Sequence, residues 1–110
     1  MYQGEWSNDM PNGKGTFASF EGWVYVGQFK DGLKHGNGKI TYKDTSCYDG
    51  EWRNNVKQGQ GEQTYFDDQG QYFGTYVGAF AADKRNGTGI FTYANGYTQS
   101  GEWKNDNFME

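Results

Sequence analysis

An all-β fold is expected for this chain, a row of β-hairpins forming one thin sheet, and three features predict it. The first is internal repetition. Tyr-x-Gly-x-Trp/Phe occurs at Tyr2–Trp6, Tyr25–Phe29, Tyr48–Trp52 and Tyr76–Phe80, and Gln99–Trp103 repeats it without the tyrosine. A fixed period of this kind marks a repeat architecture. The second is strand alternation, with Tyr25, Gly27 and Phe29 interleaved with Val24, Val26, Gln28 and Lys30. The third is composition: 18 Gly in 110 residues, 19% aromatics and a mean hydropathy of −1.05. Glycine recurs too often for a helix to propagate. The apolar material lies in 4 Trp, 9 Tyr and 8 Phe. Each ring offers roughly 150–250 Å². Half covered in a single layer, it contributes ~2.5 kcal/mol at ~25 cal/mol/Å², enough to sustain a thin sheet.

Taken in order, the motif glycines Gly4, Gly27, Gly50, Gly78 and Gly101 are separated by 23, 23, 28 and 23 residues. A second anchor, Gly-x-Gly, follows in register at Gly13/Gly15, Gly36/Gly38, Gly59/Gly61 and Gly87/Gly89. One array over 1–110 is expected, with repeats at about 2–24, 25–47, 48–75 and 76–98 and a half repeat at 99–110. In the second repeat a turn is expected over Lys30–His35. The strand after it places Gly36, Gly38, Ile40 and Tyr42 on one face and Asn37, Lys39 and Thr41 on the other. Asn12-Gly13, Asn86-Gly87 and Asn95-Gly96 suit positive φ, and Asn86-Gly87-Thr88 reads as a turn rather than a glycosylation site. The long third step places a five-residue insertion within Phe66–Thr75. The chain closes just after the strand around Trp103 with no cap. Bare edges invite pairing, so an end-to-end contact with a copy or partner, or a longer parent array, is expected.

Alternating glycine with aromatics on one face leaves a ring flat backbone to lie on. Gly4, Gly27, Gly50, Gly78 and Gly101, with Gly15, Gly38, Gly61 and Gly89, are therefore assigned as structural glycines. Repetition stacks Tyr2, Tyr25, Tyr48 and Tyr76 in one row and Trp6, Phe29, Trp52, Phe80 and Trp103 in another. The other face carries Glu5, Gln28, Glu51 and Glu102 beside Ser7, Lys30, Arg53 and Lys104, which read as a solvated face and nothing more.

The stretch Tyr25-Val26-Gly27-Gln28-Phe29-Lys30-Asp31-Gly32-Leu33-Lys34-His35-Gly36-Asn37-Gly38 resembles the MORN repeat (membrane occupation and recognition nexus), and the likeness covers nearly the whole chain. The histidine position departs from that pattern at Asn12, Gln58 and Asn86. The resemblance implies an elongated, single-layer antiparallel sheet of successive hairpins, about nine strands, curved into a trough. It also implies a scaffold that holds a helix or extended segment of a partner protein along an aromatic-lined concave side. End-to-end self-association is a further implication, and phospholipid headgroup binding is the alternative.

The candidate partner-binding residues are Tyr2, Trp6, Tyr25, Phe29, Ile40, Tyr42, Tyr48, Trp52, Tyr65, Tyr76, Phe80 and Trp103. In one layer nothing is expected to cover them, and an apolar patch above a few hundred Å² marks an interaction site. A partner helix would offer anchors at i, i+3, i+4 and i+7. Replacing Tyr48 and Trp52 with Ala is expected to weaken capture while the sheet persists. Rows of Trp and Tyr also stack on sugars, a third reading. The net charge of −4 with no basic block argues against nucleic acid. Lipid attraction takes clusters of roughly 4–8 cations at about 1 kcal/mol each, and Lys30, Lys34, Lys39 and Lys43 are diluted by Asp31 and Asp44.

Neither catalytic residue, metal nor cofactor is expected. His35 is alone, Cys47 has no base in any recognised motif, and Asp67-Asp68-Gln69-Gly70 lacks calcium-loop spacing and reads as a hairpin tip. Gly-x-Gly recurs inside hairpins and opens no helix, so it is no phosphate cradle. One cysteine, no signal-like start and no long apolar run suggest a soluble protein of the cytoplasm, with membrane or cytoskeletal structures as an optional location.

Overall fold

The computed structural model describes residues 1–109. It contains ten strands: β1 (Tyr2–Ser7), β2 (Met10–Ala18), β3 (Val24–Lys30), β4 (Leu33–Thr41), β5 (Cys47–Arg53), β6 (Val56–Phe66), β7 (Tyr72–Ala81), β8 (Lys84–Tyr93), β9 (Thr98–Lys104) and β10 (Asn107–Met109). They form one antiparallel sheet in which each strand pairs only with its neighbours in the chain. The molecule measures 47 × 29 × 16 Å, so one layer accounts for its thickness. The expected count of about nine strands is corrected to ten. The chain does not stop after Trp103: Asn105 and Asp106 turn it back, and β10 pairs Phe108 with Trp103.

One edge of the sheet is made of two-residue turns, Asn8-Asp9, Asp31-Gly32, Asn54-Asn55, Ala82-Asp83 and Asn105-Asp106, with positive φ at both positions of each. That geometry matches the twist of antiparallel strands. The turn expected over Lys30–His35 therefore shrinks to Asp31-Gly32, and Leu33, Lys34 and His35 already belong to β4. The remaining irregularity is a bulge. Gly27 pairs with Gly38 but Phe29 pairs with Lys34, so the register slips opposite Gln28. Asn12-Gly13 and Asn86-Gly87 lie inside β2 and β8, and Gly13 and Gly87 have φ of 88° and 112°. The turn assigned to Asn86-Gly87-Thr88 is thus a bulged strand segment. Asn95-Gly96 does form a hairpin tip, on the opposite edge, where Gly96 donates to the Tyr93 carbonyl at 2.8 Å. The tip at Asp67–Gln71 is closed by the Asp67 carboxylate, which accepts the N–H groups of Gln69 and Gln71, both at 2.9 Å. The extra residues of the third repeat lengthen β6 and β7 to 11 and 10 residues and bend them at a second bulge beside Tyr65.

The two glycines of Gly-x-Gly have different tasks. Gly15, Gly38, Gly61 and Gly89 lie directly beneath the rings of Tyr2, Tyr25, Tyr48 and Tyr76, and a Cβ at any of them would overlap the ring or hydroxyl. Gly13, Gly36 and Gly59 lie in the bulged strand and leave room for the side chains opposite, Glu5, Gln28 and Glu51. Those side chains fold back to accept the N–H groups of Lys14, Asn37 and Gln60 at 2.6, 2.8 and 2.7 Å. The reading of that row as merely solvated is corrected: a bulge frees a backbone N–H, and an acceptor beside it satisfies the donor. In the fourth repeat Ala79 holds the position and offers no acceptor, while Glu102 receives the Thr88 hydroxyl at 2.7 Å.

Candidate partner-binding face

The rings interlock across repeats. Tyr25 meets Phe29 of its own repeat at 5.0 Å and Trp52 of the next at 5.5 Å, edge to face in both cases. Tyr48 does the same with Trp52 and Phe80, and Tyr76 with Phe80 and Trp103, at 4.9–5.2 Å. Edge-to-face pairs at such separations add to area burial. Each tyrosine hydroxyl donates to the carbonyl of the residue opposite the bulge, three positions on: Glu5 at 2.6 Å, Gln28 and Glu51 at 2.7 Å, Ala79 at 2.9 Å. The indole N–H groups of Trp52 and Trp103 donate to the carbonyls of Gly38 and Gly89, one repeat earlier, at 3.0 and 3.1 Å.

This packing changes the picture of an uncovered ring row. Tyr25, Tyr48 and Tyr76 are 0% exposed, and Phe29, Ile40, Trp52, Phe80 and Trp103 are buried. One layer buries them because each ring is covered by rings of its neighbours. Tyr2, Tyr42 and Tyr65 are partly buried, and Trp6, at 59%, is the exposed exception. The expectation that the sheet persists when Tyr48 and Trp52 become Ala is therefore corrected, since both belong to the core. Burial pushes the Tyr25 hydroxyl up to about 12. It does the same for Tyr42, helped by the nearby Asp83 carboxylate, and pushes Tyr48 higher still.

What remains accessible on this face is a set of clefts bordered by rings and cations. Lys34 lies with its ammonium 5.0 Å from the Trp23 ring and 5.4 Å from that of Trp52. Lys57 lies 5.2 Å from Tyr42 and 5.1 Å from Tyr48, and the Arg85 guanidinium 5.2 Å from Trp103 and 5.4 Å from Tyr65. Burial lowers the Lys34 and Lys57 ammonium groups, and the Asp83 carboxylate opposes that effect at both. One cleft is lined by Phe17, Trp23, Phe29 and Lys34, a second by Trp23, Lys34, Tyr42, Asn55, Lys57 and Asp83, and a third by Phe73, Arg85, Tyr93, Asp106 and Phe108. Sequence reasoning missed the cation row, although Lys34, Lys57 and Arg85 keep the same 23- and 28-residue steps as the glycines. It also missed Phe17, Trp23, Phe91, Tyr93 and Phe108, which pack against or within the core.

The two-residue turns anchor each cation to the next repeat. Lys34 N–H donates to Asn55 Oδ1 at 2.8 Å, Lys57 N–H to Asp83 Oδ1 at 2.8 Å, and Arg85 N–H to Asp106 Oδ1 at 2.9 Å. At the first copy of this staple both halves are missing together: Pro11 has no N–H to give and Gly32 no side chain to receive it. The histidine position belongs to the same edge. His35 Nδ1 accepts the Asn54 N–H at 3.3 Å, Asn12 Oδ1 the Asp31 N–H at 3.0 Å, and Gln58 Oε1 the Ala82 N–H at 3.2 Å. Any acceptor of the right reach serves there, which accounts for the exchange of His for Asn or Gln. His35 is a strand residue holding the neighbouring turn. No group of three or more His, Cys, Asp or Glu side chains is arranged to hold a metal among the described residues.

The family model of the MORN repeat matches residues 2–24, 25–47, 48–72 and 76–96, most of the chain. No curated protein matches it.

Proposed function

We propose that this chain, which belongs to the MORN repeat family, is an interaction module that receives a helix or extended segment of a partner protein on its ring face. MORN repeats are a non-catalytic repeat type generally associated with protein or membrane interaction. The observation that carries the narrower reading is the row of clefts. Each is floored by rings already locked in place by their neighbours and bordered by at least one cation, and no second layer covers the face among the described residues. A prearranged apolar floor lowers the ordering cost of binding, and aromatic anchors within a polar rim are the anatomy of protein interfaces. The contact surface is then not the fully buried rings but the half-buried ones beside the clefts, Trp23, Tyr42 and Tyr65.

The test is affinity purification from the native cell, followed by binding assays on the recovered partner with two surface variants. Trp23→Ser with Tyr65→Ser should abolish capture. Val77→Ser with Ile90→Ser, on exposed residues of the other face, should leave it intact. The reverse pattern would sink the proposal.

A further inference from the structure

The cations of the ring face are not equally neutralised. Arg85 forms the only ion pair among the described residues, Nε to Asp106 Oδ1 at 3.4 Å, and its Nη2 donates to the Asp106 carbonyl at 2.8 Å. Lys57 has one polar contact, Nζ to Gln63 Oε1 at 2.9 Å, leaving two of its three donors free of protein partners. The Lys34 ammonium makes no hydrogen bond among the described residues and rests on rings alone. The difference follows from the turn staple. Where Lys57 and Arg85 face aspartates, Asp83 and Asp106, Lys34 faces the neutral Asn55. Two cations and one carboxylate therefore meet at one place, the cleft between β4 and β6 lined by Lys34, Lys57, Asp83, Asn55, Trp23 and Tyr42, and one positive charge is left over there. The cleft toward β2 has Lys34 as its one charged group among rings, and the cation of the cleft toward β9 is already paired.

We propose that this cleft takes the carboxylate of an Asp or Glu in the partner polypeptide, flanked on both sides by apolar residues. Lys34 and Lys57 would each donate a charge-assisted hydrogen bond from a half-buried site, where such bonds are stronger than in water. The neighbouring cleft toward β2 shares Trp23 and Lys34 with it and adds the rings of Phe17 and Phe29. A partner segment lying across the strands would therefore carry apolar residues beside its acidic one. This inference rests on the ring face being the docking face.

A randomised peptide library displayed on phage, panned on the full chain, tests it. Recovered binders should be enriched in Asp or Glu set between apolar residues. Affinity for a synthetic copy of the best binder should fall at least about tenfold with Lys34→Met and Lys57→Met together. Methionine keeps a stem over the rings, and melting curves check that the variants fold. Lys34→Arg with Lys57→Arg should restore binding, and Asp83→Asn should tighten it several-fold by removing a competing carboxylate while keeping the acceptor for Lys57 N–H. Lys39→Met, on the other face, should change nothing. Binders that lack acidic enrichment, or that ignore the double variant yet are lost with Trp23→Ser, would overturn the carboxylate proposal and leave the docking face standing. Binders lost only with Val77→Ser and Ile90→Ser would overturn both. Sedimentation with phosphatidylcholine–phosphatidylserine vesicles that is abolished by the double variant would give these cations to lipid, and would overturn the proposal as well.

Discussion

Tyr2-Gln3-Gly4-Glu5-Trp6 and Tyr48-Asp49-Gly50-Glu51-Trp52 differ at one variable position, yet Trp6 is 59% exposed and Trp52 only 5%. Trp52 fits between Tyr25 and Tyr48 and donates its indole N–H to Gly38, so half of its environment belongs to the repeat before it. Trp6 has Tyr2 at 5.0 Å and no earlier strand among the described residues. At the other end Trp103 keeps its place because Tyr76 and Gly89 precede it, and β10 adds Phe108 at 5.2 Å. The lesson is that a repeat of this kind does not bury its own rings. Burial is a property of the junction between repeats, as expected of a quasi-one-dimensional array.

Four experiments break or sharpen this contrast. The largest effect belongs to the indoles themselves. Trp52→Ala should cost about 3–5 kcal/mol, as for a buried aromatic, while Trp6→Ala should cost under about 1 kcal/mol; chemical denaturation of the two variants reads the difference. Equal losses would mean that the junctions do not supply the burial.

Alkali should act on the inner junctions next. The Tyr25 hydroxyl titrates at 10.0 in the ordinary state and at about 12 when folded. A proton held more tightly by the native state makes stability complete below pH 10 and progressively lost as pH rises toward 12. Thermal melts across that window should fall together with the appearance of tyrosinate absorbance. Free ionisation with no loss of stability would contradict the buried zipper.

Glycines divide in the same way. Gly61 lies beneath Tyr48 with no positive φ to excuse it, so the cost of Gly61→Ala comes from the ring it displaces, about 1–3 kcal/mol or more. Gly96, at a hairpin tip with φ of 89°, has open space around it, and Gly96→Ala should cost about 1 kcal/mol from backbone strain alone. The smallest effect has the opposite sign. Ala82 occupies a turn at φ 52° where its counterparts Asn54 and Asn105 are asparagines, at 49°. Ala82→Asn should raise stability by about 0.5–1 kcal/mol in denaturant titration.

The strand alternation, the repeat steps and the pairing of Tyr with Gly were legible from residue order because they are local or strictly periodic. The bulge was not. Gln28 and Gly36 read as ordinary strand residues until the register slip between Gly27 and Phe29 shows one accepting a hydrogen bond over the other. The cation row was present at the right spacing, but Lys34 read as part of a basic run with Lys30, Lys39 and Lys43. Only packing separates the lysine laid on Trp23 from exposed ones. β10 was missed because three residues carry too little alternation to announce a strand.

Residue order by itself determined an all-β array of hairpins, its period, and which face would gather the rings, since these depend on side-chain alternation and on where backbone must be bare. Tertiary structure alone decided that the rings would be sealed by one another, that Lys34 would lack the carboxylate its counterparts face, and that Trp6 would stand open. Each of these depends on what the adjoining repeat places opposite, a relation between residues about 20 or more positions apart that no single motif contains.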